Sequence, residues 1–116
     1  MSVAAAIAAA LGALIWIASP MITGHREPWD AHGPYYVLSL LTAGAIAGWI
    51  EPQRLWRHVV ALYIGQIVGV IVMLIRNPPV DAGLWPLTLI VLAICSSIGW
   101  ISAALAAALR RRVTKP

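Results

Sequence analysis

The sequence is short of most of what water-soluble chemistry uses. Of its 116 residues only four are acidic, Glu27, Asp30, Glu51 and Asp81, and only one is a cysteine, Cys95. A single cysteine excludes an intrachain disulfide, a CxxC redox pair and a cysteine metal cluster, so Cys95 reads as a small packed apolar residue. Charged residues make up 10% of the chain against 61% apolar, and no long polar segment interrupts it. A soluble chain of this length could not cover that much apolar surface, so lipid has to be part of its solvent.

Charge is also missing in a patterned way. No Asp, Glu, Lys, Arg or His falls within the runs 3–22, 34–50, 59–75 and 84–109. Each is long enough to cross about 30 Å of hydrocarbon as a helix of roughly 17–25 residues. Backbone groups in lipid must be paired internally, and the runs lack the alternation of barrel strands, which leaves helices. The expected fold class is an all-α integral membrane protein, a four-transmembrane-helix bundle. It forms one domain over 1–116, with a basic tail at 110–116. The first run is read as a helix and not a cleaved signal: no Lys or Arg precedes it, Pro20 follows its small-residue site, and it is long for a signal core.

The same absence bears on function. Proton-coupled carriers usually need an ionisable group along the path. The small multidrug-resistance transporters are similar in length and span number but rely on a glutamate in their first helix, which the alanine-rich first run lacks. Nothing has the pattern of a nucleophile with its base, a phosphate loop or a haem site with histidines inside helices, so neither an enzyme nor a cofactor is expected.

What charge there is sits asymmetrically. Arg54, Arg57, Arg110, Arg111, Arg112 and Lys115 would share one side of a four-span protein, and Arg26 and Arg76 the other. The positive-inside rule then places both termini and the second loop in the cytoplasm, in a multipass protein of the cell (inner) membrane. The tail contacts anionic lipid headgroups, and nucleic acid is not expected as a partner. Trp29, Tyr35, Tyr36 and Trp85 fall where an outer interfacial belt belongs, and Trp49 and Trp56 where an inner one does. Trp16 and Trp100 lie deeper and are expected to face other helices.

Set against itself at an offset of 51, the stretch 25–50 matches 76–101 at eight of 26 positions, including Pro28/Pro79, Asp30/Asp81, Ala31/Ala82 and the two GWI triplets at Gly48 and Gly99. The match raises two tandem parallel helical-hairpin repeats, with helix 1 pairing with 2 and helix 3 with 4. Small residues mark packing faces, because close approach replaces the hydrophobic drive in a bilayer. They are Gly44 and Gly48 on helix 2, Gly65 and Gly69 on helix 3, Ser96, Gly99, Ala103, Ala106 and Ala107 on helix 4, and Ala5, Ala8, Ala9 and Gly12 on helix 1. On helix 4, Ile98, Ile101, Leu105 and Leu109 are expected to face away.

Near the midplane only Gln66, Thr42, Ser96 and Ser97 are polar. Gln66 lies about 60° from Gly69 around its helix, pointing to the packing face. Its amide either bonds neighbouring helices together or lines a polar path with the three hydroxyls. In the first loop His25, Glu27 and His32 form a candidate site; their spacing matches no metal motif, so no metal is assigned. Asp30 there is expected to cap helix 2. In the second loop Glu51, Arg54, Arg57 and His58 are candidate lipid or partner contacts. Two functions follow. One is a small multipass scaffold or accessory subunit that self-associates or packs against a larger membrane protein through its small-residue faces. The other is a homo-oligomeric channel or facilitator for a small solute, with Gln66 and the midplane hydroxyls lining the path.

Overall fold

The computed structural model describes residues 2–24, 33–76 and 85–114, and among these the chain forms four α-helices. They are α1 (Val3–Thr23), α2 (Tyr35–Ile50), α3 (Leu55–Arg76) and α4 (Trp85–Val113). Three of them, α1, α3 and α4, are long and apolar enough to cross a membrane; α2, at 16 residues, is a shorter apolar helix. Helix α1 starts at Ser2, whose hydroxyl accepts from the Ala5 amide, and ends at Gly24, which takes a φ of 76°. That left-handed turn is the usual glycine exit from a helix. Helix α2 stops at Ile50 because Pro52 follows the Glu51 cap. Its first turn is entered from Pro34, which makes no side-chain cap bond; Asp30, expected to cap this helix, lies outside the described residues.

Charge-free runs underestimate two of the helices. Helix α3 begins four residues before the run, taking in Arg57 and His58, and α4 continues through Arg110, Arg111 and Arg112. Arginine is a good helix former and its long stem lets the charge reach polar surroundings, so a charge ends an apolar run without ending the helix.

Pairing differs from the hairpin expectation. The main partner of α1 is α3, and that of α2 is α4. Both pairs are parallel: Gly65 lies on Ala9 and Gly69 on Ala13, while Gly44 lies on Gly99 and Gly48 on Ala103. The pairs then face each other, α1 against α2 and α3 against α4, and α1 and α4 make no close backbone approach. Sequence neighbours are therefore secondary partners. The aligned glycines of the two GWI triplets are also not equivalent, since Gly48 sits on Ala103 and Gly99 between Leu62, Leu40 and Gly44.

Small residues set these distances. A Cβ on Gly65 would overlap the carbonyl oxygen of Ala9, and one on Gly44 the carbonyl of Gly99. On Gly99 the one overlap would be with the movable end of Leu62, at 2.8 Å, the Leu40 carbonyl oxygen lying at an ordinary 3.4 Å. Much of the core is alanine: Ala4, Ala5, Ala8, Ala43, Ala47, Ala61, Ala103 and Ala107 are all buried. Large aliphatic side chains face outward instead, among them Leu14, Leu38, Ile64, Ile94, Ile101 and Leu105. A soluble bundle arranges these the other way round, with its wide apolar stripe inward. On α4, Ile98 departs from the expected pattern by packing partly against the core, and Trp100, expected among helices, is 46% exposed on the outer surface.

Gly65→Ala should force α1 and α3 apart, lowering stability by about 1–3 kcal/mol, the usual range for overpacking. Gly99→Ala should cost clearly less, because Leu62 can rotate away. Equilibrium unfolding in mixed detergent–SDS micelles would check the order, and equal losses would contradict this account of the packing.

Candidate functional site

Gln66 is fully buried, and its side chain is the point at which all four helices meet. Its Oε1 accepts from the Trp16 indole Nε1–H of α1 at 3.1 Å and from the Tyr36 hydroxyl of α2 at 2.6 Å. Its Nε2 donates to the Ser96 hydroxyl of α4 at 2.7 Å. Both lone pairs of the amide oxygen are thus engaged, along with one of the two amide hydrogens. The Trp16 and Tyr36 rings meet edge to face at 6.5 Å, as aromatic quadrupoles prefer. The Cys95 thiol also lies against the Tyr36 hydroxyl.

Local sequence explains how each group arrives. Gly65 and Gly69 flank Gln66 on α3 and let α1 come close; a Cβ on Gly69 would press on the Trp16 Cβ at 2.9 Å. Tyr35 and Tyr36 are one residue apart, so their rings point about 100° apart around α2. Tyr35 donates to the Ile15 carbonyl at 2.7 Å, and Tyr36 turns into the core. Tyr36 therefore does not belong to an interfacial belt. A second outward link joins α3 to α4, from the Tyr63 hydroxyl to the Leu89 carbonyl at 3.0 Å.

Of the four candidate path residues, the structure brings together two. Gln66 and Ser96 are bonded in the core, whereas Thr42 and Ser97 are exposed on the outer surface. Thr42 donates to the Leu38 carbonyl and Ser97 to the Ala93 carbonyl, each one turn back on its own helix. A hydroxyl with no other partner in apolar surroundings bonds in this way. They do not join Gln66 because their helices turn those positions outward.

At the end of the bundle holding both helical termini, the second-loop residues separate similarly. His58 is buried, contrary to its reading as a surface contact, because it sits in the first turn of α3 facing the other helices. Its Nε2 is 2.8 Å from the Glu51 carbonyl; a carbonyl only accepts, so that nitrogen carries the hydrogen. Its Nδ1 is buried without a hydrogen-bond partner among the described residues. Arg110 of α4 donates to the Trp49 and Ile50 carbonyls. The free carbonyls at the end of α2 are thereby held from α3 and from α4, with a cation at the negative end of the helix. Arg54 and Arg57 remain exposed. His25, Glu27 and His32 lie outside the described residues, and among the described residues no three His, Cys, Asp or Glu side chains are placed to hold a metal.

Chemically, the Gln66 node is a set of hydrogen bonds that joins the four helices. Gln66→Leu removes the acceptor shared by Trp16 and Tyr36 and the donor to Ser96, and should cost about 2 kcal/mol, between membrane and soluble values for such bonds. Tyr36→Phe should cost about 1 kcal/mol alone and close to nothing in the Gln66→Leu background. A double-mutant cycle in detergent–SDS unfolding measures this; additive losses would show that the two side chains act separately.

Compared with protein-family models, with curated proteins and with solved structures, the chain matches none.

Proposed function

We propose that this is a small multipass membrane protein that works by contact, as a scaffold or accessory subunit. In this reading all four helices cross the cell membrane, with both termini on the cytoplasmic side. The shared end of the helical termini and the placement of Arg54, Arg57 and Arg110–Arg112 there support that orientation. One observation carries the proposal: the buried polar side chains of Trp16, Tyr36, Gln66 and Ser96 are bonded to one another. Among the described residues, the buried polar groups around Gln66 thus form a closed cluster and not a continuous stripe for a solute. Activity is then assigned to the outward surface.

The glycine faces expected to bind a partner are occupied within the chain by one another and by alanines. A different face fits contact better. Along α4, Ala93, Ser97, Ala104 and Ala108 are exposed within about a 60° arc, with Trp100 beside them. Of the three long helices, α4 also has the smallest buried share. Small side chains in lipid allow a second helix to approach closely, and a second copy of this chain or a larger membrane protein would supply it.

Reconstitution into liposomes tests both parts. Photobleaching steps should count more than one copy per assembly, and Ala104→Leu should weaken association about tenfold, equal to about 1.4 kcal/mol. Flux of small anions, cations and neutral solutes should match protein-free vesicles. Protein-dependent flux that Ser97→Ala or Thr42→Val abolishes would replace this reading with a path between protomers.

A further inference from the structure

We propose that the start of α3 binds an anionic phospholipid, its phosphate held by Arg54 and Arg57 and one acyl chain lying along the exposed side of α3. The inference rests on the membrane insertion proposed above and adds a ligand to it.

The arginines at this end are not alike. Arg110 is committed to the carbonyls that end α2, and Arg111 donates back to the Ala107 carbonyl of its own helix at 3.3 Å. Arg54 and Arg57 are exposed, and among the described residues neither forms an ion pair with Glu51, the one acid described. The Arg57 guanidinium carbon lies over the Trp56 ring, 5.5 Å from its centroid, and that indole is itself 53% exposed. A cation–π contact uses the charge and not the N–H donors, so the donors remain available to a phosphate oxygen.

The apolar surface next to that charge decides between a lipid and a free anion. Val60, Ile64, Val68, Ile71 and Ile75 are all exposed. At 100° per residue they share with Arg57 an arc of about 80° on α3. From Arg57 to Val68 is about 16 Å along the helix, close to half the hydrocarbon thickness of a bilayer. A guanidinium pair therefore stands at the head of an apolar track one monolayer long, and Trp49, 41% exposed, sits at the same level on α2. An amphiphile with an anionic head fits both parts, whereas a free phosphate uses only the first. A zwitterionic head would bring its own cation against the arginines.

Native mass spectrometry of the detergent-purified protein with equal amounts of phosphatidylglycerol and phosphatidylcholine of the same chain length tests this. Wild type should retain phosphatidylglycerol about tenfold better, and Arg54→Gln with Arg57→Gln should remove that preference. Arg76→Gln, at the opposite end, should keep it. Glycerophosphoglycerol, the headgroup without chains, should not compete at the same concentration. Equal retention of the two lipids by wild type, an unchanged preference in the double variant, or competition by the bare headgroup would each overturn the proposal. If the double variant does not fold, Arg57→Gln alone carries the same comparison. Alkaline carbonate extraction of membranes reports insertion separately. A protein that resists extraction yet shows no lipid preference refutes the lipid site and leaves insertion standing.

Discussion

The amide of Gln66 accepts two hydrogen bonds and donates a third, and each goes to a different helix. In apolar surroundings an unpaired amide, indole or phenol costs more than any one packing contact returns, so the four side chains must be satisfied together. Helix rotation, depth and tilt are thereby tied to a single point. Slippage of α2 by one residue would carry Tyr36 about 100° away from Gln66, and the same slip in α4 would remove Ser96. Dispersion between alanines has no such sharpness. The polar node supplies the register, and the smooth faces supply the proximity that lets it form.

Proximity comes from glycine placed on either side of the node. Gly65 and Gly69 bracket Gln66 and bring α1 near enough for Trp16 to reach the amide oxygen. At the far end of the same bundle, Arg110 and His58 attach the carbonyls of α2 to α4 and α3. Helix α2 is the shortest of the four, and polar contacts fix it at both ends: Tyr35 and Tyr36 at one, the capped carbonyls at the other. A short helix with little apolar length to anchor it gains position from such bonds.

Much of the architecture was legible because apolar runs report helices directly: the four runs and the four helices agree to within four residues at every end. Gln66 stood out as the one midplane amide, and its angle to Gly69 placed it on the packing face. Its partners were hidden for different reasons. Tyr36 looks like an interfacial residue by position, and only the rotation of α2 shows that it points inward while Tyr35 does not. His58 was hidden by being charged-capable and next to arginines, which made the loop seem to extend further than it does. Thr42 and Ser97 were grouped with Gln66 by depth, whereas helical phase separates them. Which helices pair is non-local information that no single run contains.

That pairing has a consequence for the order in which the protein is made. Each principal contact joins residues more than fifty positions apart, Ala9 with Gly65 and Gly44 with Gly99. The first two helices leave the ribosome before either has its main neighbour, with the indole of Trp16 and the phenol of Tyr36 still lacking the amide that will receive them. The second half of the chain is not added to a finished first half. It completes it, and until then the early hairpin has only the secondary contacts between α1 and α2.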